Sequence, residues 1–255
     1  MNEDLRLRIL EKGKEKGFGH YGSIMSCVDV IKYLYDEVLT KDDIFILSKG
    51  HGAPALHAVL ESKGFNPPWT VHNIYDEENG ISATTGSLGL GLPIAVGRAF
   101  AKKLKNETGN VYCMVGDGEC QEGVIWESLN ISHKFNLTNF ILLVDYNKYQ
   151  AIQDIKTIMD EDDNSLRRKI EAFGFEVYDV YNGHDIVSLK TINAIMSLFS
   201  IEDKIIYRNP KCFIIHTQKG KGIPYIEQNP SFHVIYQSEH PEEFEEAVKS
   251  LKEKI

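Results

Sequence analysis

The sequence predicts an α/β fold of three layers, α/β/α, with helices on both faces of a mostly parallel central sheet. Three observations carry the prediction. Short strand-like runs at 44–47, 111–115, 140–144, 176–180 and 212–216 alternate with longer stretches of helical period. Two of these runs, 111–115 and 140–144, are joined by a helical stretch at 121–135, which makes them parallel and puts the turns that follow them at one edge of the sheet. The length of 255 residues, with no linker, repeat or low-complexity segment, suits one large domain spanning 1–255.

The elements follow in order. Residues 2–16 form an amphipathic helix with Leu5, Ile9 and Leu10 on one face and Asn2 as its expected N-cap. Three glycines surround His20 in the loop GFGHYGS, which can press that imidazole against a ligand. A second helix is expected to start with Ser26 as a cap. The strand at 44–47 runs into Ser48-Lys49-Gly50-His51-Gly52 and then a helix with Pro54 in its first turn. Such strand-to-helix junctions present backbone N–H groups to anions.

Residues 64–85 lack a period and read as loop. Gly86-Ser87-Leu88-Gly89-Leu90-Gly91 then opens a helix over 90–105, in which Gly97 suggests close packing. Farther on, 158–164 is acidic and solvated, 165–173 is helical, and Asp185 caps another helix. Thr217 to Gly222 is a polar, mobile segment, and 241–255 is a charged helix.

Composition excludes several classes. A net charge of −9 argues against nucleic acid and anionic membrane as partners. No apolar run reaches membrane-spanning length, and the N-terminus is a charged helix rather than a signal peptide, so a cytoplasmic location is expected. None of Cys27, Cys113, Cys120 and Cys212 is spaced as CxxC, so no zinc site or redox pair is indicated. Cys113 and Cys212 read as core thiols, whereas Cys120, after a turn, could be exposed.

The stretch 111–150 organises the chain. Its first strand stops at Gly116-Asp117-Gly118, where two glycines let the backbone turn sharply and approach a ligand. Its second ends at Asp145-Tyr146-Asn147-Lys148. Asp117 and Asn147 are thirty residues apart yet end neighbouring strands. A carboxylate and a carboxamide oxygen converging there are hard ligands suited to Mg²⁺ or Ca²⁺.

The blocks GDGECQEGVIWES and VDYNKYQ resemble the thiamine diphosphate signature in its transketolase version. The resemblance extends over GFGHYGS, LSKGHGAPAL, TTGSLGLGLPIAVG, FGFEVYDVYNGHD and KGKGIPY with NPSFH, which is almost the whole chain. It is similar to the separately encoded N-terminal subunits of split transketolases, the half that grips the diphosphate. The resemblance implies the thiamine diphosphate-binding fold and transfer of a two-carbon ketol group from a ketose to an aldose, on thiamine diphosphate and Mg²⁺.

By the same resemblance, Asp117, Asn147 and the main-chain carbonyl of Tyr149 hold the metal. Gly118, with Gly116 and Glu119 beside it, meets the diphosphate. His51 lies near the diphosphate and thiazolium, and Gly86, Ser87 and Leu88 near the aminopyrimidine. His20 and His233 line the substrate channel and are the candidates for proton transfer, taken at the ordinary imidazole pKa of about 6.5. Glu122 and Glu127 link cofactor sites across a subunit interface. The acid that activates the cofactor belongs to a pyrimidine-binding half absent from this sequence. A C-terminal partner subunit is therefore implied, in an α2β2 heterotetramer acting on sugars or sugar phosphates.

Two positions depart from the family pattern. His72 precedes Gly80 by eight residues as the family's histidine does, but Val71 and Asn73 replace its Gly and Pro neighbours. Ser82 stands where the family has an acid. Lys219 and Lys221 read as solvated charges on a flexible loop, with closure over the cofactor as the alternative. His57, His133, His184, His216 and His240 read as ordinary surface or core histidines, and Phe173 and Phe175 as core. Two other functions compete: the α-type subunit of a thiamine enzyme acting on 2-oxo acids, and a non-catalytic scaffold. Histidines at 20, 51 and 233 favour sugar hydroxyls over a carboxylate, and intact metal positions speak against the scaffold.

Overall fold

The computed structural model describes residues 2–158, 162, 164–201 and 209–255, with the side chains of 199–201 left aside. Most of the acidic run 160–163 lies outside the described residues; Asp162 is exposed. The strands, in chain order, are β1 (Ile44–Leu47), β2 (Val111–Gly116), β3 (Phe140–Tyr146), β4 (Tyr149–Gln150), β5 (Gln153–Asp154), β6 (Glu176–Val180) and β7 (Lys211–His216). Five of them form a sheet of order β1-β2-β3-β7-β6, parallel throughout, while β4 and β5 make a small antiparallel hairpin.

The helices are α1 (Glu3–Lys16), α2 (Tyr21–Tyr33), α3 (Ala53–Ser62), α4 (Gly91–Lys105), α5 (Gly123–Lys134), α6 (Ile155–Ile158), α7 (Ser165–Ala172), α8 (Ile186–Ile201), α9 (Pro224–Gln228) and α10 (Pro241–Lys252). They cover both sheet faces, and strand alternation decides which core each residue joins. Tyr112, Met114, Ile141 and Leu143 pack with Ile9, Ile31, Leu56, Leu189 and Phe244 from α1, α2, α3, α8 and α10. Their neighbours Val111, Cys113, Val115, Leu142 and Val144 pack on the opposite face with Leu92, Ile125, Leu129 and Ile170 from α4, α5 and α7. A strand buried on both faces has no polar side to show, which is why β2 and β3 read as unbroken apolar runs.

Local expectations divide. Asp185 caps α8 as read, accepting the N–H of Ser188 at 2.9 Å, and Phe175 is buried. Asn2 does not cap α1: its backbone is left-handed and its amide donates to Asp29 at 2.9 Å. Ser26 starts no helix but sits inside α2, where its hydroxyl donates to the Asp145 carboxylate at 2.6 Å. A long-range buried partner outcompeted the local capping role for each. Gly97 is exposed with open space where a Cβ would stand, so close packing does not explain it. Cys120 is buried rather than exposed, because the short turn that carries it, Gly118–Gln121, delivers its side chain to the core with Cys113 and Ile125.

Candidate active site at the carboxyl edge of the sheet

Strands β2 and β3 run in register, with Gly116 opposite Asp145, so the turns that follow them sit side by side. Asp117 is buried and accepts the main-chain N–H of Gly118 at 2.8 Å and that of Lys148 at 2.6 Å. The second bond ties the two turns together. Asn147, also buried, accepts the N–H of Tyr149 at 3.0 Å. Lys148 and Ala151 both hold positive φ, of 70° and 49°, and the hairpin of β4 and β5 keeps them there. Non-glycine residues in that region store strain of about 1–3 kcal/mol, a cost met where surrounding structure fixes the backbone.

Burial pushes the Asp117 carboxyl up to about 7, and the nearby Asp145 adds to the effect. Lys49 and the two main-chain N–H bonds favour its charged form but do not outweigh burial and Asp145, so a further cation at this place would be bound favourably. Among the described residues no three His, Cys, Asp or Glu side chains form a metal-binding group. The donor set here is instead one carboxylate, one carboxamide and main-chain oxygen, which suits a hard divalent ion rather than zinc.

Asp145 makes no such call on a metal. It forms an ion pair with Lys49, both side chains wholly buried, and accepts further bonds from Ser26 and Thr217. Lys49 also donates to the carbonyl of Ser23 at 3.0 Å. This ion pair fastens the turn after β1 to the end of β3. Glu119 does similar work: buried, it accepts from the Ser48 hydroxyl at 2.6 Å and from the N–H groups of Gly89 at 2.7 Å and Gly116 at 3.1 Å. Its oxygens are engaged with the chain, so Glu119 shapes the glycine loop, whatever that loop then meets.

The loop Gly86–Ser87–Leu88 lies against the turn after β1. A Cβ on Gly50 would stand 2.6 Å from the backbone of Thr85 and Gly86, so the two loops pack main chain to main chain. Beneath them the buried Asn73 donates to Thr85 Oγ1 at 3.1 Å, and Thr85 donates to the carbonyl of Leu47 at 2.8 Å. Ser87 and Leu88 are exposed.

His20, His51 and His233 come together. The ring of His20 lies 5.4 Å from that of His51 and 5.0 Å from that of His233. His51 shares a 2.8 Å hydrogen bond with the hydroxyl of Ser23. Burial lowers all three pKa values, and neighbouring charges reinforce it: His20 falls to about 4, His51 well below the ordinary value, and His233 is lowered further by Lys219. All three rings are neutral at pH 7. His20 thus departs from the ordinary 6.5 expected of it, because the sequence could not reveal its burial. His72 stays exposed but packs beside Gly86, 3.4 Å from where its Cβ would be, and it adds to the depression of His20. Glu122 and Glu127 are not drawn into this cluster; they stand exposed on and just before α5.

Lys219 overturns its expectation as a solvated charge. It is buried, donates to the carbonyl of Ala151 at 2.7 Å, lies 5.3 Å above the Tyr149 ring, and burial lowers its pKa to about 8. The sequence pattern KGKG marked its loop but could not place it. Lys49, Asp145, Asn73 and Ser26 were missed as site-forming residues. The signal available for Lys49 and Asp145 was their place inside the SKGHG and VDYN blocks. Of the other histidines, His57 is fully buried, His184 contacts Asp29 and His216 contacts Asp179.

The sequence matches the family described as "Transketolase, thiamine diphosphate binding domain" over residues 2–235. The chain belongs to the transketolase family. It is 32% identical to an apulose-4-phosphate transketolase subunit of Phocaeicola vulgatus, covering 100% of this chain and 93% of that one. It is 34% identical to the protein of the same description from Actinobacillus succinogenes, covering 92% and 88%. A 6-deoxy-6-sulfo-D-fructose transketolase subunit from a Clostridium species is 32% identical over 90% of this chain and 87% of its own. In extent the chain therefore matches one subunit of a split transketolase.

The fold matches transketolase structures from Leishmania mexicana (TM-score 0.76, 24% identity) and Campylobacter jejuni (0.72, 25%). Each match covers 99% of this chain but only 40% and 41% of those longer proteins. Among the described residues no helix is long and apolar enough to cross a membrane.

Proposed function

We propose that this transketolase-family chain is the diphosphate-binding subunit of a two-subunit enzyme. With a C-terminal partner carrying the pyrimidine-binding domain, two copies of each, it transfers a two-carbon ketol group from a ketose to an aldose. The observation that carries the reading is the placing of Asp117 and Asn147 at the ends of neighbouring strands, together with the clustering of the His20, His51 and His233 rings. The four cysteines are free and buried, which suits the reducing cytoplasm we assign it to.

Thiamine diphosphate, when bound, supplies the reactive carbon that adds to the ketose carbonyl. Asp117, Asn147 and the carbonyl of Tyr149 are the residues that would hold Mg²⁺ (or Ca²⁺), and the buried Asp117 carboxyl, pushed up by burial and Asp145, fits that cation. Gly118 and the buried ammonium of Lys219 would receive the diphosphate. The loop from Gly86 to Leu88 would meet the aminopyrimidine.

His20 and His233 do the proton work on the donor's hydroxyls. Neutral at pH 7, each offers a ring nitrogen that accepts a proton and returns it. Their depressed pKa values favour the return. His51, tied to Ser23, keeps the cluster oriented toward Lys49 and the metal turn. Sugar hydroxyls need such partners, whereas a 2-oxo acid would call for a fixed cation in the same place. The names of the relatives support a sugar phosphate or a modified, anionic ketose as substrate.

The test is a donor screen. Ketoses, ketose phosphates and 2-oxo acids are offered to the chain alone and to the chain with its partner. Ketol transfer by the pair and none by the chain alone is expected. Full activity of the chain alone, or turnover of 2-oxo acids only, overturns the proposal.

A further inference from the structure

A buried ionic cluster lies behind the site and has no part in the chemistry above. Asp29, on α2, takes two bonds from Arg6 of α1, at 2.9 and 2.5 Å, one from Asn2 at 2.9 Å, and meets His184 Nδ1 at 2.7 Å. The side chains of Arg6, Asp29 and His184 are 3%, 1% and 10% exposed. Burial alone would raise Asp29, but the bonds from His184 and Arg6 outweigh it and hold the carboxylate at about 2.

The cluster reaches the segment 217–222 at two points. The main-chain N–H of Gln218 donates to His184 Nε2 at 2.8 Å. That nitrogen must therefore carry its lone pair, so the hydrogen sits on Nδ1 and donates to Asp29. Arg6 Nε donates to the carbonyl of Lys221 at 2.9 Å. These two contacts bracket Lys219. Between them Gly220 donates to the carbonyl of Gly22 at 2.9 Å, and a Cβ on Gly22 would stand 2.8 Å from Lys219 Cε.

We propose that Arg6, Asp29 and His184 are positioning residues that set the backbone on either side of Lys219 and so aim its ammonium at the diphosphate site. The proposal rests on the function proposed above. A buried ion pair is a poor stability device, since apolar residues of similar volume do as well or better. What it supplies here is fixed direction: a carboxylate orients one imidazole and one guanidinium, and each spends its remaining polar atom on the same loop.

His184→Asn separates aiming from folding. An asparagine amide can take over the bond to Asp29 but offers nothing at the position of Nε2. Thiamine diphosphate binding, in Mg²⁺, is measured by calorimetry on the two-subunit complex for wild type, His184→Asn, Lys219→Met and the double variant. His184→Asn is expected to weaken binding about five- to tenfold, the worth of one hydrogen bond, and the double variant to bind no more weakly than Lys219→Met. Trypsin should also nick His184→Asn faster at Lys219 and Lys221 than wild type when no cofactor is present. Unchanged binding by His184→Asn, or effects that add in the double variant, would overturn the proposal. A wild-type complex that binds no thiamine diphosphate would instead overturn the proposed function; an unchanged trypsin pattern would then overturn the loop-setting role as well.

Discussion

The Asp117 carboxylate accepts the main-chain N–H of Lys148 at 2.6 Å, bridging the turns that follow β2 and β3. One side chain thus fixes the spacing of the two turns and leaves its charge in a buried place that favours the neutral form. Asp117→Asn tests what that charge is for. Groups that merely support metal ligands are worth 10–100-fold in metal affinity, so the ligand itself should cost at least about 100-fold in binding of thiamine diphosphate with Mg²⁺. Without metal the variant should be less stable by about 1–3 kcal/mol, because an amide nitrogen cannot accept and one of the two main-chain N–H groups loses its partner. Calorimetry and thermal unfolding of the same sample check both halves.

Lys49 and Asp145 give a second prediction. Lys49→Met leaves the Asp145 carboxylate in a fully buried site with, among the described residues, the Ser26 and Thr217 hydroxyls to hold its charge. Breaking such a pair costs about 3–5 kcal/mol. The double change Lys49→Met with Asp145→Leu should recover part of that loss. Denaturant unfolding of the three chains measures it.

Two glycines predict opposite signs. A Cβ on Gly50 would press on the backbone of Thr85 and Gly86 at 2.6 Å, and neither loop can yield without moving the site. Gly50→Ala should destabilise by about 1–3 kcal/mol and weaken cofactor binding. Gly97, mid-helix and exposed, meets nothing, so Gly97→Ala should stabilise by about 0.5–1 kcal/mol and leave binding unchanged.

The pH dependence of stability has a specific source. Burial lowers His57 to about 4 in the folded chain, against about 6.5 unfolded. Below 6.5 the unfolded chain takes up a proton that the folded chain refuses. Stability from this group is therefore complete above pH 6.5, falls as pH drops toward 4, and levels off below. The loss is at most about 3 kcal/mol. His57→Phe should flatten that part of the profile, as read from unfolding free energies at pH 7, 5.5 and 4.

The five sheet strands could be read from the sequence because each is a short, mostly apolar run cut off by glycine or polar residues. The site could be read where its chemistry is local: the turns Gly116–Gly118 and Asp145–Lys148, and the glycine-flanked His20 and His51. What escaped depends on distant partners. Ser26 looks like a cap until Asp145, 119 residues away in sequence, claims its hydroxyl. Lys219 looks like a surface charge until Gly22 and Ala151 enclose it. The depressed pKa of His20 needs burial and two other imidazoles, none adjacent in sequence.

The most direct measurement is native mass spectrometry of the complex purified from its own source in Mg²⁺. The account predicts a heteromer of this chain and a second subunit, carrying the added masses of thiamine diphosphate and a divalent metal, both lost from an Asp117→Asn complex. A heteromer that assembles fully yet carries neither mass, even with thiamine diphosphate supplied, would contradict it.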